Sequence, residues 1–314
     1  LKKTLINYYN KLKNSLGLNH LFFTTTMNKK NKVFLRFFIL FTIVIFSVYN
    51  AYSQFNADSV LNKTFKQIES IKTLRFNIIS RERINNYYKT DKGFYKISKK
   101  PILYYYKQLI PPTSAEVLVN SETYPMALVN AHKTLVPNLK LSPYGEVLRD
   151  TRHHNLYQAG YDYFKNILLF LKEKYNIKWA KVTTMNNDIK INQYNCYKLT
   201  ITNPNFKIIQ YTVKEKTTPQ QLALKLNICD YHIIQMNASI SSVFHTLKPG
   251  QIITIPSDYA SKITLYIDKK LFIPIKIEVY DDIGLFEEYL FEDIELNPIF
   301  KNEEFSQNYN EYEF

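Results

Sequence analysis

From residue 54 onward the apolar positions alternate between two periods. Asp58 to Ile71 places Val60, Leu61, Phe65, Ile68 and Ile71 at helical spacing, and Tyr161 to Tyr175 does the same with Phe164, Ile167, Leu168 and Leu171. Between and after these helices the period falls to two. Leu74-Phe76-Ile78, Phe94 to Ile97, Leu103 to Tyr106, Glu116 to Val119, Met126 to Asn130, Ile189 to Ile191, Tyr197 to Thr202 and Phe206 to Val213 read as strands, punctuated by Pro111-Pro112, Pro125, Pro137 and Pro143. Near the C-terminus come strands at Ile263 to Asp268, Ile273 to Tyr280 and Leu285 to Leu296. Lys269-Lys270 and Asp281-Asp282-Ile283-Gly284 turn the chain between them. Hairpin after hairpin with two helices predicts an α+β fold, one curved antiparallel sheet partly wrapped around helices.

Residues 211–256 break this rhythm and read as strand, helix, helix, strand. Thr218 is a natural N-cap, Pro219 fits the first helical position, and Gln221 completes a capping box. Leu222, Ala223 and Leu226 follow at helical spacing until Asn227 stops the helix. Asp230 reads as a second N-cap, followed by Ile233, Ile234 and Met236 with Asn237 as the stop. Pro249-Gly250 then turns into a strand, Ile252 to Ile255, closed by Pro256.

Tyr211-Thr212-Val213, Leu222-Ala223, Met236-Asn237 and the closing Leu247, Gly250, Gln251, Ile253, Ile255 and Pro256 resemble a LysM module, the βααβ family that binds N-acetylglucosamine-containing glycans. The resemblance implies peptidoglycan or another GlcNAc-containing glycan as a partner. The contacts would come from the loop before the first helix (Lys216, Thr217, Thr218) and the loop after the second (Asn237, Ala238, Ile240). The family's usual Gly-Asp-Thr is Lys216-Thr217-Thr218 here, so recognition would fall to backbone amides and carbonyls. The C-terminal strands, with Asp268-Lys269, Ile273-Pro274, Tyr280-Asp281, Gly284 and Tyr289 to Asn297, resemble LolA-like carriers that sort outer-membrane lipoproteins. That resemblance implies an open half-barrel with an apolar concave face for a lipid or lipoprotein. The body also resembles uncharacterised exported bacterial proteins in which Arg152-His153-His154 precedes a glycine at the helix entry, here Gly160.

The formal charge of +14 is uneven. Residues 1–53 hold eight Lys or Arg and no Asp or Glu, leaving 33 basic against 27 acidic residues in the remainder. That mild excess, without a recognised motif, argues against a nucleic-acid partner. Met27 begins an export signal: a basic start, an apolar stretch from Phe37 to Val48, and Ala51-Tyr52-Ser53 before Gln54. The apolar stretch is shorter than the ~20 residues a bilayer span needs, so the membrane enters only through this segment. Residues 1–26 read as upstream sequence. The predicted organisation is a signal peptide over 27–53, a LolA-like host over 54–208 and 259–300, a LysM-like insert over 209–258 and a tail over 301–314. The destination is the periplasm or outer envelope of a Gram-negative bacterium. Cys196 and Cys229, one in the host and one in the insert, are expected to be free buried thiols.

Candidate chemistry is sparse. His153-His154 lacks the spacing of a zinc protease, and adjacent strand residues point to opposite faces, so packing or surface roles are expected. Glu287-Glu288 alternates across a strand and Asp281-Asp282 sits in a turn, both expected to be solvated. With six glycines in the chain, phosphate-cradling loops are excluded, and Cys196 lies mid-strand. Tyr104-Tyr105-Tyr106 puts rings on both faces of one strand, as core or as a ligand lining. No catalytic residue, metal or cofactor is implied. The expectation is a non-enzymatic envelope-binding protein. The alternatives are an envelope hydrolase, which requires His153 or His154 to converge with a carboxylate, and a degenerate insert serving as a protein-interaction module.

Overall fold

The computed structural model describes residues 39, 41–42 and 57–314, apart from 112–114, 124–125, 132–136 and 150–151. The chain divides into two units, Leu1–Tyr52 and Ser53–Phe314. The predicted upstream segment and all but three residues of the predicted signal lie outside the described residues. Among the described residues no helix is long and apolar enough to cross a membrane.

The second unit begins with α1 (57–70) and then runs β1 (Thr73–Ile84), β2 (Tyr87–Ser98), β3 (Leu103–Ile110), β4 (Glu116–Asn120), β5 (Ala127–Asn130), β6 (Leu139–Leu141) and α2 (Glu146–Arg149). It continues with α3 (Asp162–Lys174), α4 (Trp179–Val182), β7 (Thr183–Ile191), β8 (Tyr194–Thr202), β9 (Ile208–Thr212), α5 (Pro219–Leu226), α6 (Asp230–Met236) and β10 (Ile252–Pro256). The last elements are β11 (Lys262–Asp268), β12 (Pro274–Tyr280) and β13 (Leu285–Leu296). Eleven strands form one antiparallel sheet in the order β6-β5-β4-β3-β2-β1-β13-β12-β11-β8-β7. The α+β prediction holds at this level, a mostly antiparallel curved sheet with few helices.

Period-two patterning explains which residues face inward. Leu74 and Phe76 of β1, Ile97 of β2, Tyr104 and Tyr106 of β3, and Tyr289 and Phe291 of β13 enter one core with α1 and α3. Both helices contribute the faces their spacing predicts, including Leu61, Phe65, Phe164 and Leu168. The opposite face of β3 and β4 carries Tyr105 and Leu118, which bury against Phe305 and pack with Phe300, Tyr312 and Phe314 of the C-terminal segment. Tyr105 and Tyr312 stack at 3.7 Å, and the buried Lys96 ammonium meets Glu304 at 2.7 Å. The rings of the tyrosine triplet therefore divide between the two faces, one of them covered by the last residues of the chain.

β8 and β11 are neighbours in the sheet, and the chain between them builds a second small core while Cys229, Tyr231, Tyr259 and Ala260 join the main one. β9 and β10 pair as a two-stranded sheet, with Tyr211 opposite Ile253. Val213, Leu222, Ile233, Leu247 and Ile255 close a core of their own. Thr218 caps α5, and Gln221 bonds back to the Thr218 amide at 3.2 Å, as the capping-box pattern requires. Asn227 ends α5 in the left-handed region at φ 53°, a conformation asparagine tolerates better than other residues with a Cβ. The second cap differs from expectation. Cys229, not Asp230, holds the N-cap position of α6 and makes no side-chain cap, because the Asp230 carboxylate is drawn into an ion pair with Arg149.

Candidate functional site

The inward face of β1 runs Leu74, Phe76, Ile78, Ser80 and Glu82, so the period that builds the core ends by carrying a carboxylate inward. β13 does the same with Phe291, Tyr289 and Glu287. The strands pair so that Ile78 faces Phe291, Ser80 faces Tyr289 and Glu82 faces Glu287. Two carboxylates thus stand directly opposite each other, a placement that costs stability unless something compensates. Glu287 is 0 % exposed and Glu82 6 %. The expectation that the Glu287-Glu288 pair is solvated therefore fails for Glu287, since strand alternation sends only Glu288 outward. It fails for Asp281 as well, which is buried and ion-paired with Arg83.

The compensation comes from the irregular stretch between α2 and α3. Residues 152–155 are neither helix nor strand, so His153 and His154 are released from the alternation that would separate them. His153 Nδ1 lies 3.0 Å and His154 Nε2 3.1 Å from the same oxygen, Glu287 Oε2. This corrects the expectation of separate packing or surface roles. The other His153 nitrogen, Nε2, faces the Arg83 carbonyl at 3.1 Å, and the His153 amide donates to Glu82 at 2.8 Å. Tyr289 donates to Glu82 at 2.6 Å and lies 3.2 Å from Glu287, while Tyr259 donates to the second Glu287 oxygen.

Burial alone would raise the Glu287 pKa. The charge of His154 and the hydrogen bonds from both imidazoles outweigh it and hold the carboxyl well below the usual range. Burial works to lower the His154 pKa, but the Glu287 charge and hydrogen bond prevail and move it above 6.5. Tyr259 and Tyr289 are pushed well up, first by burial and then by Glu287, so both phenols stay protonated and able to donate.

Behind this cluster sits the small βααβ body. Arg149 forms a buried bidentate pair with Asp230 of α6, and Tyr231 and Phe286 stack on the two sides of the His153 ring at 4.7 and 4.1 Å. In front of it, between β1–β3, β13, Leu148 and residues 152–160, lies a cavity of about 80 Å³. Ile78, Tyr95 and Phe291 supply apolar wall, while Glu82, Asp91, Arg152 and His154 make a polar end. Arg152 is held there by the Tyr106 hydroxyl at 3.0 Å.

The glycan-contact residues expected from the sequence lie on two loops of the βααβ body. An isolated bridge between Thr217 and Leu247 and the bond from the Gln220 amide to the Val243 carbonyl join these loops. Lys216 and Ala238 are exposed. Thr218 is occupied as a cap, and the Asn237 amide nitrogen bonds the Ile233 and Thr254 carbonyls at 2.7 Å each. Ile240 is 2 % exposed and belongs to the small core, so its side chain faces away from any ligand. Cys196 and Cys229 are buried and unpaired. The residues missed by sequence reasoning are Glu82, Tyr259, Tyr289, Arg149 and the inward half of the glutamate pair. A charge at the inward phase of a strand pattern, as at Glu82 and Glu287, is the signal that could have found two of them.

The family described as "Protein of unknown function (DUF1571)" matches residues 242–314, less than half of the chain. No curated protein matches. Among solved structures, MucB is similar at 9 % identity with a TM-score of 0.40, over 80 % of this chain and 62 % of that one. This chain thus spans less than two thirds of MucB. A LolA superfamily protein from Nitrosomonas europaea is similar at 11 % identity and a TM-score of 0.31, over 81 % and 98 % of the two chains. A putative outer membrane lipoprotein-sorting protein domain from Vibrio parahaemolyticus is similar at 9 % identity and a TM-score of 0.31, over 81 % and 98 %.

Proposed function

We propose that this chain is a non-enzymatic binding protein of the bacterial cell envelope whose ligand seats one end in the cavity on the inward face of the sheet. The supporting observation is the juxtaposition there of Ile78, Tyr95 and Phe291 with Arg152 and Asp91. Such a site grips an apolar group and orients a polar one beside it, as an amphipathic lipid or lipoprotein anchor would require. Size limits the claim. A cavity of about 80 Å³ is roughly half the ~150 Å³ that accommodates benzene in an apolar core. It therefore admits a terminal segment, and a whole acyl chain would need residues 152–160 to move aside. A fluorescent fatty-acid probe, displaced by lipids, tests this. Ser80→Phe, which fills the cavity from β1, should weaken probe binding at least ~10-fold with the fold intact, equivalent to ~1.4 kcal/mol. Equal binding by a folded Ser80→Phe variant removes the cavity from the proposal.

The 209–258 segment is, on this reading, a LysM-like insert that contacts peptidoglycan through Lys216, Ala238 and the backbone of their loops. Its own core and the bridging of those loops support it. Retention of the purified chain on peptidoglycan at low salt is the test, and absence of retention refutes it. The signal read at 27–53 would place the protein in the periplasm or outer envelope. The convergence of His153 and His154 on Glu287 meets one requirement of the hydrolase alternative. Every atom of Glu287 that could act as a base is already hydrogen-bonded, however, and among the described residues the hydrogen bonds of the two imidazole rings run to Glu287, the Arg83 carbonyl and Tyr259 rather than to a serine or cysteine. Binding is therefore the reading we retain.

A further inference from the structure

We propose that Glu82, His153 and Glu287 form a site for one divalent transition-metal ion, with zinc as the favoured occupant. One ligand atom each from Glu82, His153 and Glu287 lie within 4.8 Å of one another, and all three residues are buried. His154 approaches the same Glu287 oxygen at 3.1 Å from outside that set. A tetrahedral ion with bonds of about 2.0–2.2 Å holds its ligand atoms roughly 3.3–3.6 Å apart. The 3.0 Å between His153 Nδ1 and Glu287 would widen by a few tenths of an ångström for an ion to replace the bridging proton, and Glu82 would close in from within 4.8 Å.

Charge supports the same occupant. Arg83 pairs with Asp281, Arg149 with Asp230 and Arg152 with Asp91, whereas among the described residues Glu82 and Glu287 have no lysine or arginine partner. Two opposed carboxylates in a buried cross-strand pair carry the charge that one divalent cation neutralises. The surroundings have the form of an outer ligand shell. His153 Nε2 faces the Arg83 carbonyl, which fixes the ring so that Nδ1 points at the cluster. Tyr289 bonds both carboxylates and acts as a positioning residue. Glu82, His154 and Tyr289 also line the cavity, which gives an ion a route in. An imidazole nitrogen beside two carboxylates favours zinc or a neighbouring transition metal over magnesium or calcium, which take oxygen shells.

The test uses the full chain purified without a histidine tag, stripped with a chelator and titrated calorimetrically with Zn²⁺, with Mg²⁺ and Ca²⁺ as comparison arms. We expect one equivalent of Zn²⁺ and an X-ray absorption spectrum showing nitrogen and oxygen neighbours without sulfur. His153→Ala should weaken Zn²⁺ binding at least ~10-fold, and Tyr289→Phe by ~10–100-fold, in protein whose circular dichroism matches the parent. Sub-stoichiometric Zn²⁺, preference for Mg²⁺ or Ca²⁺, a sulfur-containing shell, or unchanged affinity in a folded His153→Ala variant would each overturn the site. Should His153→Ala not fold, the stoichiometry and absorption spectrum of the parent chain decide. The cavity ligand is probed by lipid displacement, so the two proposals fail separately.

Discussion

Asp230→Ala should be among the most damaging single substitutions in this protein, for a reason that lies in its partner. The Arg149 guanidinium is 4 % exposed and gives one arm to the Arg152 carbonyl at 2.8 Å and another to the His153 carbonyl at 2.6 Å. Its remaining donors face the two Asp230 oxygens. Removing the carboxylate strands a buried cation, which costs ~3–5 kcal/mol when a buried pair is broken from one side. The Asp230 side chain keeps 11 % exposure, so water reaches the vacated space and the lower half of that range is expected. For a domain of this size 1 kcal/mol moves the melting midpoint by about 2–4 °C, so the fall should be roughly 6–16 °C. The decisive arm is the double variant Arg149→Met with Asp230→Leu. An apolar pair of similar bulk leaves no orphaned charge and should recover much of the loss. Thermal and urea unfolding followed by circular dichroism measure all three. A loss below ~1 kcal/mol for Asp230→Ala, or a double variant as unstable as the summed singles, would refute the reasoning.

Acid should loosen the C-terminal segment. Burial raises the Glu304 pKa, but the Lys96 hydrogen bond outweighs it and the net shift is downward from 4.5. A depressed folded value means that the contribution is present above about 4.5 and fades as pH falls through the lowered value. Protease cleavage after Phe300 should therefore rise in that acid range, and a flat profile would count against the clasp. Neither cysteine should react with a thiol reagent at pH 8 in the folded protein, because burial pushes both thiols up. Two thiols should appear after denaturation, and native-state labelling would contradict the packing. Ile240→Asp puts a carboxylate into the core of the small body and should cost more than ~3 kcal/mol locally. Hydrogen exchange should then show early loss of protection in β9 and β10 while β1 and β2 stay protected, and uniform loss would show that the two cores melt as one.

The local elements were legible because their causes are local. Helical spacing from Val60 to Ile68 and from Phe164 to Leu171 found α1 and α3, and the Thr218-Pro219-Gln221 signature placed the start of α5 correctly. Period-two runs located strands β2, β3 and β13. The short β6 and α4 were not legible, since three or four residues carry too little periodicity to register. What escaped altogether was chemistry that depends on register. Strand alternation says that one of Glu287 and Glu288 points inward, but not which one, nor that Glu82 stands opposite it. Those facts follow from the pairing of β1 with β13, whose residues lie more than 200 positions apart. The two histidines were misjudged for a related reason: a strand would have split them, and only the path of the chain between α2 and α3 shows that no strand is there. Asp230 was misread as a cap because local sequence cannot see an arginine 81 residues away. Side-chain period and capping are properties of a few consecutive residues, and the sequence determined them. Which buried charges meet is set by long-range pairing, and only the tertiary structure decided that.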